Sequence, residues 1–241
     1  MNKIFTLVRH CETAPKRKIK VRPPWFSFQK CFNSLYDKNS NIENNVIMFF
    51  DGNHDEDNSH VKFELEPKKE MINFHQYIGG TDAASLKYVL AHVGMNTFKA
   101  EDDDIIYIVE DDYLHRPGWQ NVLAEGLWGI NVDYATLYDH PDKYFLPMYN
   151  NLMAKILFTD TVHWRTTPST CNTYAAKYST LKKHLDIHLH FCDPNITHDG
   201  YDHTKFTELW KNGSNLISSV PGYSTHCETD FISPAFDWST L

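Results

Sequence analysis

The sequence predicts an α/β fold in which a mostly parallel central sheet carries helices on both faces. Three observations predict it. Residues 105–109, Ile-Ile-Tyr-Ile-Val, form an unbroken β-branched and aromatic run, the pattern of a strand buried on both faces rather than one with a wet side. The run passes straight into Glu110-Asp111-Asp112-Tyr113 and then into the breaker-rich Leu114-His115-Arg116-Pro117-Gly118-Trp119, so a turn fixes three carboxylates at the carboxyl end of the strand. Upstream, apolar runs alternate with helical periodicities, the order of a doubly wound half that binds a nucleotide at its carboxyl edge.

The elements follow in order. A first strand covers residues 4–8 and ends at Arg9-His10. After a loop through Arg22-Pro23-Pro24, residues 25–35 read as an amphipathic helix opened by its prolines. A second strand over residues 45–50 ends at Asp51-Gly52-Asn53, and the hydrophilic residues 54–67 read as a surface loop. Gly79-Gly80-Thr81-Asp82 then leads into a helix over residues 83–92, as glycines with a Thr or Asp cap commonly do. Asp102-Asp103-Asp104, just before the acid-bearing strand, reads as a solvated turn. In the second half, residues 128–138 are expected to form a strand ending at Asp139-His140-Pro141. Residues 156–164 are expected to form another, leading to Arg165-Thr166-Thr167-Pro168-Ser169-Thr170 and a helix over residues 172–184. The spacing from Tyr201 through Phe206 to Leu209-Trp210 is helical, which puts His198-Asp199 at a helix start. Residues 219–227 close the chain as a late loop.

Length and charge bound the function. A chain of 241 residues with 41% hydrophobic content can bury a full core, and residues 1–241 are expected to form one domain. A formal net charge of -8 argues against nonspecific nucleic-acid binding, which rests on Lys and Arg neutralising phosphates. Basic residues do cluster in Lys16-Arg17-Lys18-Ile19-Lys20-Val21-Arg22, a solvated loop or a surface facing an anionic donor or membrane headgroups. No stretch approaches the ~18 to 20 apolar residues of a spanning helix. The start is too short and too quickly polar for a signal peptide, so a soluble, cytoplasmic protein is expected. Cys11, Cys31, Cys171, Cys192 and Cys227 are odd in number and lack metal-finger spacing, which favours reduced thiols.

Three adjacent carboxylates repel one another unless a cation or several donors compensate. A hard divalent ion, Mg2+ or Mn2+, takes carboxylate oxygens and keeps positions free for substrate phosphates. The string Val-Glu-Asp-Asp-Tyr-Leu-His-Arg-Pro-Gly-Trp, residues 109–119, resembles the acidic metal motif, Asp-x-Asp or Glu-Asp-Asp, of glycosyltransferases with the GT-A fold. It is closest in form to the inverting N-acetylglucosaminyltransferases of N-glycan synthesis.

That resemblance implies a Rossmann-like nucleotide-sugar-binding half over residues 1–113 fused to an acceptor and catalytic half over residues 114–241, and a metal-dependent enzyme that moves a sugar from a nucleotide sugar, a UDP-sugar, to a glycan or small-molecule hydroxyl with inversion. It implies that Arg9 clamps diphosphate or base carbonyls, that Asp51 accepts from a uracil N–H or a ribose hydroxyl, and that the helix start from Gly79 to Ser85 lies at the nucleotide. Glu110 and Asp111 would meet the donor, while Asp112 and a late-loop histidine, matched by His226, would hold the ion. An imidazole ligand leans toward Mn2+ over Mg2+. On the acceptor side the matches are Trp164, Arg165 and Thr166. Asp199 is the expected base, with His198 in place of the usual Glu, and Asp202, one turn on, is the second candidate.

Plainer readings stand beside these. Asp51 can be a surface turn, Trp164 core packing, and Asp199 or Thr197 a helix cap worth ~1 kcal/mol. Leu7-Val8-Arg9-His10-Cys11-Glu12-Thr13 resembles the Arg-His-Gly motif of histidine phosphatases, with His10 as nucleophile. Cys11 replaces its glycine, however, and no second Arg-His or Ser-His-Gly partner follows. His184, His188 and His190 could bind metal at helical spacing but read as a surface helix end and strand. A noncatalytic sugar- or nucleotide-binding module is the remaining alternative.

Overall fold

The computed structural model describes residues 2–11, 20–37, 40–52, 73–130, 132–193, 195–196 and 201–241. The first half runs β1 (Ile4–Cys11), α1 (Phe28–Ser34), β2 (Asn44–Asp51), β3 (Asn73–Tyr77), α2 (Asp82–Met95), β4 (Ile105–Glu110) and β5 (Tyr113–His115). The second runs α3 (Trp119–Ala124), β6 (Tyr134–Thr136), α4 (Asp142–Phe145), β7 (Ile156–Phe158), β8 (His163–Thr166), β9 (Tyr174–Lys177), α5 (Tyr178–Lys183) and α6 (Leu185–Phe191), followed by α7 (Asp202–Lys211), β10 (Leu216–Val220) and β11 (Ser224–His226).

Among the described residues the central sheet has nine strands in the order β3-β2-β1-β4-β9-β6-β10-β8-β7. The first four pair in parallel. β9 enters antiparallel between β4 and β6, β10 lies parallel to β6, and β8 and β7 follow antiparallel in turn. This is the mixed α/β architecture with a mostly parallel core that the sequence predicts. Successive side chains of a strand point to opposite faces, and both faces of β1 and β4 are covered. Ile4, Val8, Ile105, Tyr107 and Val109 pack with Phe32, Trp119 and Leu123 on one side. Phe5, Leu7, Ile106 and Ile108 pack with Leu86, Val89, Leu90 and Val93 of α2 on the other. The unbroken apolar run of β4 is the direct consequence.

Local chemistry sets the helix ends. Ser27, rather than the prolines, caps α1 by accepting from the Lys30 amide at 3.1 Å. Thr81 caps α2 through the Ala84 amide at 3.1 Å, and α2 stops at Asn96 in the left-handed conformation.

Four expectations change. The helix expected over residues 172–184 is β9 followed by α5, because Tyr174, Ala175 and Ala176 pair with β4 and β6 and are buried there; ladder pairing outweighs the helical preference of two alanines. The expected strand over residues 128–138 shrinks to β6 behind a π-helical turn at Glu125–Gly129. The strand expected over residues 156–164 is the hairpin of β7 and β8. His188 is not on the surface: it is fully buried on α6, between the hydroxyls of Tyr134 (3.0 Å) and Tyr174 (2.9 Å), and burial depresses its basicity far below the ordinary imidazole value. Residues 54–67 lie outside the described residues. No helix among the described residues is long and apolar enough to cross a membrane. Cys31, Cys171, Cys192 and Cys227 are free thiols, as their number and spacing suggest.

Candidate functional site

The site begins where β1 and β4 end side by side, with Arg9 opposite Glu110 in the parallel register. Beyond Glu110 the chain turns through Asp111 and Asp112 into β5, which pairs antiparallel with β11 so that Tyr113 faces His226. The Cys227 amide donates to the Asp112 carbonyl at 2.9 Å, and the His226 ring stacks on Tyr113 with centroids 5.1 Å apart. Two residues 114 positions apart thus meet, with His226 Nε2 3.1 Å from Asp112 Oδ2. Glu110, Asp112 and His226 each offer a ligand atom, and these atoms all lie within 4.8 Å of one another.

Two cations reach the same place. Lys20 Nζ lies 2.8 Å and Arg22 2.9 Å from Asp112 Oδ2. Burial would push the Asp112 carboxyl up, but His226, Lys20 and Arg22 together hold it well below the usual carboxylate range. For Glu110 the balance is reversed: burial raises its carboxyl further than Arg9 and Lys20 lower it. Asp112 is 2% exposed, and its Oδ1 has no hydrogen-bond partner among the described residues. A buried carboxylate oxygen without a donor is costly. With a second carboxylate and an imidazole beside it, the donor set fits a divalent ion, and the nitrogen ligand suits Mn2+ better than Mg2+.

The other residues expected at the donor each have partners within the chain. Arg9 is 3% exposed and divides its guanidinium between Asp82 Oδ1 and Glu110 Oε1, both at 2.7 Å. It holds Glu110 in place rather than projecting outward. Asp51 spends both carboxylate oxygens on the Gly79 amide (2.6 Å) and the Gly80 amide (2.9 Å), anchoring the turn that starts α2. A Cβ at position 79 would lie 3.0 Å from that carboxylate and 3.1 Å from the Tyr77 ring, so a larger residue there would press on both. Ser85 is buried and accepts from the Tyr77 hydroxyl at 2.7 Å. Asp111 turns to His10, whose ring is buried and stacked on Phe50. The metal-capable group therefore contains Glu110 and not Asp111.

Of the residues expected at the acceptor, Trp164 is a core residue. It is fully buried, donates its indole N–H to Thr159 Oγ1 at 3.2 Å, and presses against Gly126, where a Cβ would meet the ring at 3.1 Å. Its face is closed to a sugar. Arg165 pairs with Asp139 at 2.6 Å and stacks over Tyr144 at 4.7 Å, while Thr166 Oγ1 accepts from the Lys155 amide. His198 and Asp199 lie outside the described residues. Asp202 is saturated, accepting from the amides of Thr170 (2.5 Å), Cys171 (2.9 Å) and Asn172 (3.1 Å) and from the Thr170 hydroxyl (3.1 Å). It anchors a turn in which Cys171 and Asn172 hold positive φ. Asp202→Asn replaces an acceptor oxygen with a donor facing donors. It is expected to lower stability by about 1–3 kcal/mol in urea unfolding, with nucleotide affinity unchanged; an undisturbed unfolding midpoint would remove the anchor role.

Sequence reasoning missed Asp82, whose only signal was its place at a helix start, and did not separate Lys20 and Arg22 from the rest of the basic cluster. Those two reach Asp112 because Val21 O accepts from the Thr229 amide at 2.8 Å and Arg22 donates to Cys227 O at 2.8 Å, contacts more than 200 residues away in the chain.

No protein-family model and no curated protein sequence matches the chain. Solved structures do share its fold. S. aureus TarS 1-349 superposes with a TM-score of 0.54 at 13% identity, over 92% of this chain and 59% of that one. The same protein in complex with UDP-GlcNAc gives 0.54 at 14% identity, over 98% and 62%. A 4-diphosphocytidyl-2C-methyl-D-erythritol synthase gives 0.51 at 8% identity, over 100% and 95%. This chain thus spans about three fifths of the TarS structures and nearly all of the synthase, and what it shares with them is the GT-A-like mixed α/β fold.

Proposed function

We propose that this chain is a metal-dependent glycosyltransferase that transfers a sugar from a nucleotide sugar, a UDP-sugar, to a hydroxyl of a glycan or small-molecule acceptor with inversion. The observation that carries this reading is the convergence of Glu110, Asp112 and His226 within 4.8 Å at the carboxyl end of β4, the edge at which ligands bind in open α/β sheets. The fold shared with a protein crystallised with UDP-GlcNAc supports the choice of donor. His226 comes from the second half and Asp112 from the first, which supports a single domain whose halves build one site.

Glu110, Asp112 and His226 would hold Mn2+, or Mg2+, which when bound offsets the charge growing on the departing diphosphate. Arg9, clamped to Asp82 and Glu110, keeps the Glu110 carboxylate oriented. Asp51, through the Gly79 and Gly80 amides, fixes the start of α2 at the donor edge. Asp199 takes the proton from the acceptor hydroxyl as the hydroxyl attacks the opposite face of an oxocarbenium-like centre. Arg165 and Thr166 are the acceptor-side residues. The phosphatase reading fits poorly: His10 is 1% exposed and is held by Asp111 and Phe50, where a nucleophile must be open to its substrate.

A nucleotidyltransferase is the second reading, favoured by the match over 95% of the synthase chain. One thermal-shift panel of UDP-, GDP-, CMP- and dTDP-sugars and CTP, with and without Mn2+, separates the two. A ligand at 100 times its Kd stabilises by about 2.7 kcal/mol, and domains of this size gain roughly 2–4 °C per kcal/mol. UDP-sugars with Mn2+ are expected to raise the transition by several degrees. A shift with CTP alone would favour nucleotidyl transfer, and no shift with any nucleotide would sink both.

A further inference from the structure

We propose that Lys20 is a tethered cation occupying the ion's place between Glu110, Asp112 and His226, so that a divalent ion binds only as Lys20 leaves and Lys20 sets the metal affinity of the site. The inference rests on the metal-site reading above and adds a competitor that the chain itself supplies.

The geometry is specific. Lys20 Nζ lies 2.8 Å from Asp112 Oδ2, 3.0 Å from His226 Nε2 and 4.0 Å from Glu110 Oε2, so one ammonium addresses all three residues of the metal-capable group. An ammonium only donates, so in the tautomer with its proton on Nδ1 His226 presents to Lys20 through Nε2 the same lone pair a metal would need, whereas in the other Nε2–H donates to Asp112 Oδ2. In the first of these tautomers Asp112 Oδ2 and His226 Nε2, 3.1 Å apart, converge as two acceptors on one cation, as metal ligands do. An ion seated between those two atoms, at the ~2.1 Å coordination distance of Mg2+ from the oxygen, takes the place that the ammonium holds between them. The two cations also repel.

Lys20 is the member that can leave. Among the described residues its side chain is held by the three residues of the group alone. Arg22 is anchored outside the group as well, by the Cys227 carbonyl at 2.8 Å and by the Phe26 ring at 4.6 Å, and it keeps Asp112 partly neutralised when Lys20 departs. The backbone beside Lys20 is pinned through Val21 O to Thr229, so the displaced ammonium stays within reach of the anionic diphosphate that an incoming donor brings. A compact, strongly hydrated charge on a flexible four-carbon stem suits such an exchange better than a guanidinium fork.

The test is Mn2+ alone, titrated by calorimetry and by the free-ion signal in electron paramagnetic resonance, into the full chain carrying no substitution, Lys20→Met, Lys20→Arg, His226→Ala, or Lys20→Met with His226→Ala. Lys20→Met is expected to bind Mn2+ at least ten-fold more tightly than the unsubstituted chain. Lys20→Arg keeps the charge and is expected to stay within about three-fold of the unsubstituted chain, and the gain is expected to vanish in the double variant. Thermal melting without metal verifies folding of each. If Lys20→Met binds no more tightly while His226→Ala still weakens binding, the competitor role is overturned and the metal site stands. If the double variant binds as tightly as Lys20→Met, the ion sits elsewhere, and the metal-site reading falls together with this proposal.

Discussion

Replacing Asp199 by Asn is expected to lower turnover by roughly 100- to 10,000-fold, the usual contribution of a positioned base, while leaving donor affinity nearly unchanged. Asn keeps the shape and the capacity to cap a helix but cannot take a proton from the acceptor hydroxyl. Steady-state rates with whichever UDP-sugar the thermal panel selects, set beside UDP affinity by calorimetry, divide chemistry from binding. Loss of donor binding in this variant would place Asp199 in the nucleotide pocket, and full activity would remove it from the mechanism. The structure narrows the fallback, because Asp202, the second candidate from sequence, has its carboxylate committed to four donors of the 170–172 turn. A base with no free lone pair toward solvent serves the acceptor poorly.

Asp112→Ala is expected to abolish the Mn2+-dependent part of UDP binding, a loss of at least 100-fold in affinity by calorimetry. The variant removes the most buried carboxylate of the group, together with the oxygen on which Lys20, Arg22 and His226 converge. Lys20 and Arg22 then keep their charge without that counter-ion, and uncompensated buried charge is destabilising. Melting in the absence of nucleotide is therefore measured alongside, and Asp112→Asn serves as the milder replacement. His226→Ala is expected to weaken the same binding less completely, since both carboxylates remain. UDP affinity that responds to Mn2+ as strongly in Asp112→Ala as in the unsubstituted chain would sink the assignment.

Much of the carboxyl edge of the sheet was legible in the sequence, for a physical reason. A strand covered on both faces must be apolar throughout, so residues 105–109 announced a central strand, and a chain that stops being apolar at Glu110 must leave the core there. The helix start at Thr81-Asp82 and the ends of β1 and β2 were legible in the same way, from caps and from runs that break. β9 was not, because its Tyr-Ala-Ala-Lys sequence has no strand signal of its own and becomes a strand only between β4 and β6.

The sequence by itself determined where polar groups emerge from the sheet: Arg9, Asp51 and the three acids each follow an apolar run, and that placement depends only on local composition. What each group does there was decided by tertiary structure. Asp51 turned to the Gly79 and Gly80 amides and Asp202 to a turn of its own, because a buried backbone N–H must find an acceptor, whereas Trp164 filled the core beside Gly126. The pairing of β5 with β11, and the two cations delivered to Asp112, join residues far apart in the chain. Such contacts depend on strand register across the whole domain, and no local pattern encodes them.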